Sequence, residues 1–328
     1  MENTSTVAPE QNPMAVYMNQ LSSCEIYLRE GQYRRILENI NLSIHKGEVW
    51  GLNGKSLLEI KLLLEIMANI KPYYDGRCVL LEIGMMRRKR IILPHVFYIG
   101  TVNMIYNNMN VLEYLMFATA NSKIEVVKRQ KQLLKLLIDI GLGNISLTPI
   151  HTLPSEFRVI VILLTAYFSS SELIIFNVPE LKYNNQQITP MKNIARLISD
   201  SGKTLVFSSI DSALIQEICT HTAYLINGSI VFSGTISEFC EEYDDIILTI
   251  SDQQPYLIME SMQKALPQYK YKVSDDRLII SKPSTDSRVN VESIYNVIFK
   301  MGLNPDRVRM NTKTVKNAVE GILRKYDL

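Results

Sequence analysis

The chain has 328 residues, 47% of them hydrophobic, which is the make-up of a folded protein with room for two ordinary domains and excludes disorder as its main state. Its 35 basic and 33 acidic residues leave a net charge of +2, so no global basic field argues for nucleic acid and there is no acidic tail. Glycine is scarce: 14 residues are about 4% of the chain against about 7% in average proteins, a shortfall of roughly nine.

The longest unbroken apolar run, around Val159 to Phe168, is far shorter than the roughly 20 residues of a bilayer span. The N-terminal stretch is polar and has no apolar secretory core, so a cytoplasmic location is expected. Cys24, Cys78, Cys219 and Cys240 form no CxxC pair, and His45, His95, His151 and His221 show no ligand spacing. Reduced, scattered thiols and no Cys/His metal site are the expectation.

In chain order, residues 1–20 are rich in Asn, Ser, Thr and Gln without periodicity and read as a flexible arm. A strand-like run from Cys24, a polar interruption and INLSI at Ile40 to Ile44 suggest a hairpin, followed by an HKGE turn and the apolar segment VWGL at Val49 to Leu52. A helix period follows at about 57–70, then short strands near 78–83 and 95–99. A longer helix is predicted at about 124–140, with Val126, Val127, Leu133, Leu134, Leu137 and Ile138 as its apolar face. Between 157 and 209 come a helix, the strand LIIF, another helix and the strand TLVFSS. Neither LIIF nor LVF alternates, as in strands covered on both faces, which predicts an α/β fold with a parallel sheet. After Tyr243 the order strand, helix, two strands, helix, strand, with a closing helix, predicts a small α+β ferredoxin-like domain over 244–328. Lys270, Lys272, Asp275 and Asp276 read as a solvated hairpin face.

ILENINLSIHKGEVWGLNG (Ile36 to Gly54) resembles the opening of an ABC-transporter ATP-binding cassette, where a strand and a GE turn lead into the phosphate loop. FYIGTVNMIYNNMNVLEYL (Phe97 to Leu115) looks like that family's Q-loop and following helix. LPSEFRVIVILLTAYFSSSELIIFNVPE (Leu153 to Glu180) aligns without a gap on its run from signature to Walker B, and the segment from Gly202 to Phe239 on the switch strand and terminal GT turn. The resemblance implies a P-loop NTPase-like ABC cassette over 21–243 with a helical subdomain at about 102–168, and the C-terminal region looks like the appended domain of drug- and antibiotic-type exporters. ATP and Mg are its implied cofactors. Its implied partners are a membrane-spanning permease subunit, a second ATP-binding cassette, or both, in a homo- or heterodimer peripheral to the inner face of the cell membrane, with no nucleic acid.

The family needs a glycine-rich loop, GxxGxGK[ST], whose backbone amides wrap the phosphates. The candidate residues are Gly51, Gly54, Lys55 and Ser56, a vestigial phosphate loop. If Lys55 and Ser56 are the motif's lysine and hydroxyl, the loop has lost about five residues; if it keeps its length, Leu57, Leu58 and Glu59 replace glycines and Ile60 or Lys61 takes the lysine position. Either way the cradle is spoiled.

The resemblance places other departures at reacting positions. Walker B's metal-holding aspartate and water-orienting glutamate are Asn177 and Val178, the switch histidine is Ile210, the Q-loop glutamine is Thr101, and the D-loop aspartate is Asn184. Asparagine lacks the charge a hard cation prefers, and loss of the base alone costs on the order of 10²–10⁴ in rate. In the signature, Pro154, Ser155, Glu156 and Phe157 replace Ser, Gly, Gly and Gln, and a carboxylate at Glu156 would face the terminal phosphate, at a cost of several kcal/mol. Some of the missing glycines are thus those of the phosphate-binding backbone, with Ser155, Glu156 and Lys182 in their places. No aromatic aligns at the adenine-stacking position: Gly31 falls there, and Tyr27 or Tyr33 needs a shift. Met104, Ile105, Tyr106 and Met109 lie where the family grips its membrane partner, and serve either that docking or the helical lobe itself.

The expectation is a hydrolysis-deficient cassette homologue acting as an interaction or regulatory subunit of a membrane exporter. The alternatives are an active transport ATPase with divergent motifs and a soluble regulator without a permease.

Overall fold

The structure, a computed structural model, describes residues 13–27, 33–84, 89–100, 106, 108–282, 291–302 and 307–326. The chain folds into two compact units, 1–236 and 237–328. Their division falls at the start of a helix, Ile236–Tyr243, and not after it at the sequence-predicted 243/244 boundary.

The first unit contains two main sheets. Strands β1 (Met14–Ser23), β4 (Ile40–His45), β6 (Tyr73–Leu80) and β7 (Ile83–Gly84) form an antiparallel sheet in the order β4-β1-β6-β7, while β2 (Glu25–Tyr27) and β3 (Tyr33–Arg35) pair as a separate ribbon. The predicted flexible arm is corrected here. Residues 14–20 belong to β1, which pairs on both edges, and Ala15, Val16, Met18 and Leu21 are buried. The apolar run Met14–Met18 is short and ends at the polar pair Asn19–Gln20, and the strand bulges at Gln20, whose φ is +49°. INLSI pairs with this strand and not with the run after Cys24. The arm's first twelve residues lie outside those described.

The second sheet carries the predicted parallel core. Its strands are β5 (Val49–Gly54), β8 (Val96–Ile99), β9 (Leu173–Phe176), β10 (Thr204–Ser208), β11 (His221–Ile226) and β12 (Ser229–Thr235), in the order β12-β11-β5-β10-β9-β8. All neighbours are parallel except β11 and β12, which are joined through Asn227 (φ +48°) and Gly228 (φ +78°), the positive-φ pair that a tight hairpin turn requires. Trp50, Leu52, Leu173, Ile175, Val206, Ala223 and Leu225 share a core with the antiparallel sheet and with α1 (Leu57–Met67). The alternate residues, such as Ile174, Phe176, Leu205 and Phe207, are equally buried, and Phe176 stacks on Phe207 at 4.9 Å. A period of two puts these on the opposite face, which explains runs without polar alternation.

The remaining helices of this unit are α2 (Lys89–Ile92), α3 (Val111–Ala118), α4 (Val126–Asp139), α5 (Ser155–Phe168), α6 (Asn185–Asp200) and α7 (Ser212–Ile218). Asn110 and Glu113 cap α3 reciprocally, as Asn184 and Gln187 cap α6. Of the six residues predicted as the apolar face of α4, two turn inward. Leu133 and Leu137 are buried, whereas Val126, Val127, Leu134 and Ile138 are exposed. No helix among the described residues is long and apolar enough to cross a membrane.

The second unit begins with α8 (Ile236–Tyr243) and continues β13 (Ile246–Ser251), α9 (Pro255–Ala265), β14 (Lys270–Ser274), β15 (Arg277–Ser281), α10 (Val291–Lys300), β16 (Val308–Met310) and α11 (Val315–Lys325). Its antiparallel sheet runs β14-β15-β13-β16, the ferredoxin-like order, around a core that includes Leu248, Ile250, Met262, Leu278, Ile280 and Ile294. Asp244, fully buried, ties its ends together. Its carboxylate accepts from Ile246 N at 3.1 Å, Thr314 N at 2.9 Å, Asn311 Nδ2 at 3.0 Å and Asn317 Nδ2 at 3.2 Å. A neutral amide in its place would turn donors toward donors. Asp244→Asn is therefore expected to destabilise the unit by about 1–3 kcal/mol, seen as faster amide exchange in α11 and β16.

Candidate functional site

Strand β5 lies at the centre of the parallel sheet, with all of its residues buried. Its pairing with β11 persists to its end: Leu225 stands opposite Gly54, and Lys55 N still donates to the Leu225 carbonyl at 3.4 Å. Ser56 is extended, and its Oγ accepts from Glu59 N at 3.4 Å as the N-cap of α1. Strand and helix are thus joined by Lys55 and Ser56 alone.

The four predicted phosphate-loop residues therefore come close together without forming a loop. Gly51 lies inside β5 against Ile215 and Cys219 of the α7 segment. Gly54 ends the strand, where an added Cβ would lie 2.6 Å from the Leu225 carbonyl oxygen, so the close strand-to-strand approach alone requires glycine. Lys55 is exposed and Ser56 is occupied in capping. Lys61, on the second turn of α1, forms an ion pair with Glu180 at 3.1 Å, and both side chains are about half exposed.

The end of β9 meets α1 through Asn177, which is 1% exposed. Its Nδ2 donates to the Lys61 carbonyl at 3.2 Å and to the Tyr98 hydroxyl at 3.0 Å, and its backbone N–H donates to the Ile99 carbonyl at 2.7 Å. Ser208 Oγ donates to Phe176 O at 3.1 Å beside it. Burial raises the Tyr98 pKa, and the hydrogen bond with Asn177 partly offsets the rise. Both amide hydrogens of Asn177 are therefore committed to protein oxygens. A carboxylate has no hydrogen to give them. Val178 is buried.

The other substituted positions have likewise found structural employment. Glu156 lies in the first turn of α5, behind Pro154, which provides no side-chain cap; an acid there complements the helix dipole by about 0.3–1 kcal/mol. Arg158 Nη2 reaches back to Ser155 Oγ at 3.1 Å. Tyr183 is buried with no hydrogen-bond partner for its hydroxyl, and burial, together with the charges of Glu156 and Glu180, pushes its pKa far upward, so it is a neutral phenol. Asn184 caps α6, and Asp211 caps α7 through Ala213 N at 2.9 Å. Ile210, beside it, is 42% exposed. Thr101, Gly31, Met104 and Ile105 lie outside the described residues. Tyr106 is exposed and packs against Phe117 at 4.7 Å.

Beside the start of α1 opens a hollow of about 570 Å³ under the β2–β3 ribbon, lined among others by Glu25, Tyr33, Arg34, Arg35, Glu38 and Glu59. Tyr27 and Tyr33 meet edge to face at 5.4 Å, and Tyr33 is 71% exposed toward solvent. The guanidinium of Arg35 lies over the Tyr74 ring at 4.6 Å. Two arginines against three carboxylates make this lining slightly acidic. The sequence reading missed these charges, whose one local signal is the Arg34–Arg35 pair directly after Tyr33.

No protein-family model matches the chain. A Listeria monocytogenes protein provisionally named an ABC transporter ATP-binding protein is 23% identical over 243 residues, covering 72% of this chain and 90% of that one. The lantibiotic transport ATP-binding protein SrtF of Streptococcus pyogenes is 21% identical, over 64% of this chain and 86% of its own length. Among solved structures, cbiO1 from Clostridium perfringens, part of an ABC transporter complex, superposes with a TM-score of 0.57 at 15% identity over 78% of this chain and 97% of that one. The dimeric cassette MJ0796 with ADP and Pi gives 0.53 at 17% identity, covering 67% and 98%. The fold is therefore that of an ABC ATP-binding cassette. The chain is a homologue of the ATP-binding proteins of ABC transporters.

Because Asn177 donates to the Lys61 carbonyl, where a carboxylate could only accept, an acid at this position is expected to weaken the protein. Asn177→Asp should lower the unfolding free energy by about 1–3 kcal/mol in urea titrations.

Proposed function

We propose that the chain is a cassette subunit of an ABC transport system that does not hydrolyse ATP, and that it acts as an interaction or regulatory subunit at the cytoplasmic face of a membrane exporter. The observation that carries this reading is the two-residue link between β5 and α1. Phosphate binding at such a position needs several successive backbone N–H groups pointing into one concavity. Here the strand keeps its ladder to Gly54, and the helix begins at Leu57. The residues present do not fit ATP with Mg. Asn177 supplies no charge for a cation and has committed its donors, buried Val178 has no acid or base function, and the adjoining hollow carries no excess of positive charge for a polyphosphate.

What persists supports the partner half of the reading. The parallel sheet, its covering helices and the ferredoxin-like second unit are intact, and these are the parts that carry surfaces. Such a subunit would sit against a membrane-spanning permease, a second cassette, or both, as one member of a dimer.

Incubation of the purified chain with magnesium-ATP is expected to give phosphate release at background and no calorimetric binding at micromolar nucleotide, with Lys55→Ala changing neither. Micromolar affinity abolished by Lys55→Ala would overturn the reading. Co-expression with a permease encoded beside it should yield a detergent-stable complex, and failure to co-purify would remove the exporter-subunit role.

A further inference from the structure

We propose that the exposed side of α4 is a docking surface for an anionic phospholipid bilayer. The inference rests on α4 alone and would stand even if the chain hydrolysed ATP. At 100° per residue, Val127, Leu134 and Ile138 fall within about 40° of one another on the helix. They are 54%, 37% and 61% exposed, while Leu133 and Leu137 turn inward on a different arc. The result is an aliphatic stripe that no described residue covers.

Charge selects the occupant. Lys131, Lys135 and Lys128 occupy the arc immediately beside the stripe, all exposed and without an ion pair among the described residues. The helix has no acid before Asp139, its last residue. Arg129, the other cation, is turned away and spent on the end of α3, where its guanidinium donates to the Thr119 carbonyl at 3.1 Å. The outward cations are thus all lysines, whose flexible stems let the ammonium rise to the headgroup level while the aliphatic carbons lie along the surface. The stripe has none of the Trp, Tyr or Arg that anchor protein interfaces. An aliphatic line with a lysine flank is the pattern of a helix lying in the plane of a negatively charged interface.

The test uses the full chain and vesicles of phosphatidylcholine, with and without about a third phosphatidylglycerol, in a sedimentation assay. Binding to the anionic vesicles only, reduced at high salt, is expected. Lys128→Gln/Lys131→Gln/Lys135→Gln should weaken it about a hundredfold, and Val127→Ser/Ile138→Ser about tenfold, with melting temperatures unchanged because these side chains are exposed. Val127→Trp adds a reporter to a chain whose one native tryptophan, Trp50, is buried. Its emission should shift to the blue on anionic vesicles. Absence of binding, equal binding to neutral vesicles, or indifference to either set of substitutions would overturn the proposal. Retention on polyglutamate resin without vesicle binding would overturn it too, and would assign the face to an acidic protein.

Discussion

The architecture of the first unit turns on how far β5 stays hydrogen-bonded. Because the ladder with β11 runs to Gly54 and Lys55, the chain has only Ser56 left before α1 must start. A helix that starts so close to the sheet brings its second turn over the end of β9, where the Lys61 carbonyl comes within reach of Asn177. The amide at that position follows from the geometry. A buried residue that faces a helix carbonyl has to be a donor, while the Tyr98 hydroxyl could pair with a donor or an acceptor. The two-residue connection and the amide at position 177 are thus linked through one contact, Asn177 with the Lys61 carbonyl.

Glycine's scarcity takes on a definite meaning in that light. In the nucleotide-binding cassettes that this chain resembles, glycines let the backbone close around phosphate. Gly54 serves a different contact, the approach of β5 to the Leu225 carbonyl. At the start of α5, Ser155 and Glu156 replace glycines, and the acid supplies the negative charge that the helix N-terminus attracts. An anion arriving from outside would meet a carboxylate already in place. Both segments are ordinary helix and strand, which need few glycines.

Legibility from sequence followed the strength of each local signal. LIIF and LVF were readable as fully covered strands because nothing polar interrupts them, and the order of elements after Tyr243 was readable because each is short, periodic and bounded by turn residues. Met14–Ser23 was not, because its pairing is with β4 and β6, and a bulge at Gln20 breaks the alternation that would have marked it. On α4 the apolar period identified the helix correctly but could not tell which half of a wide stripe would meet protein. That depends on where α3 and the neighbouring turns pass, which is tertiary information. In the site, the sequence offered its residues only one by one. Their interlock was not legible, since Asn177 meets Lys61 and Tyr98 across long stretches of chain.

That interlock bears on how such a protein stays non-catalytic under the proposed reading. A cassette that had lost only its Walker B acid could recover it by one substitution. Here an aspartate at 177 would set a carboxylate against the Lys61 carbonyl, which can only accept. The substitution alone would cost stability, and changes at residues in direct contact with it are coupled and non-additive. Selection acting on such a chain can then refine its exposed surfaces, the α4 stripe among them, without a competing demand from the nucleotide site.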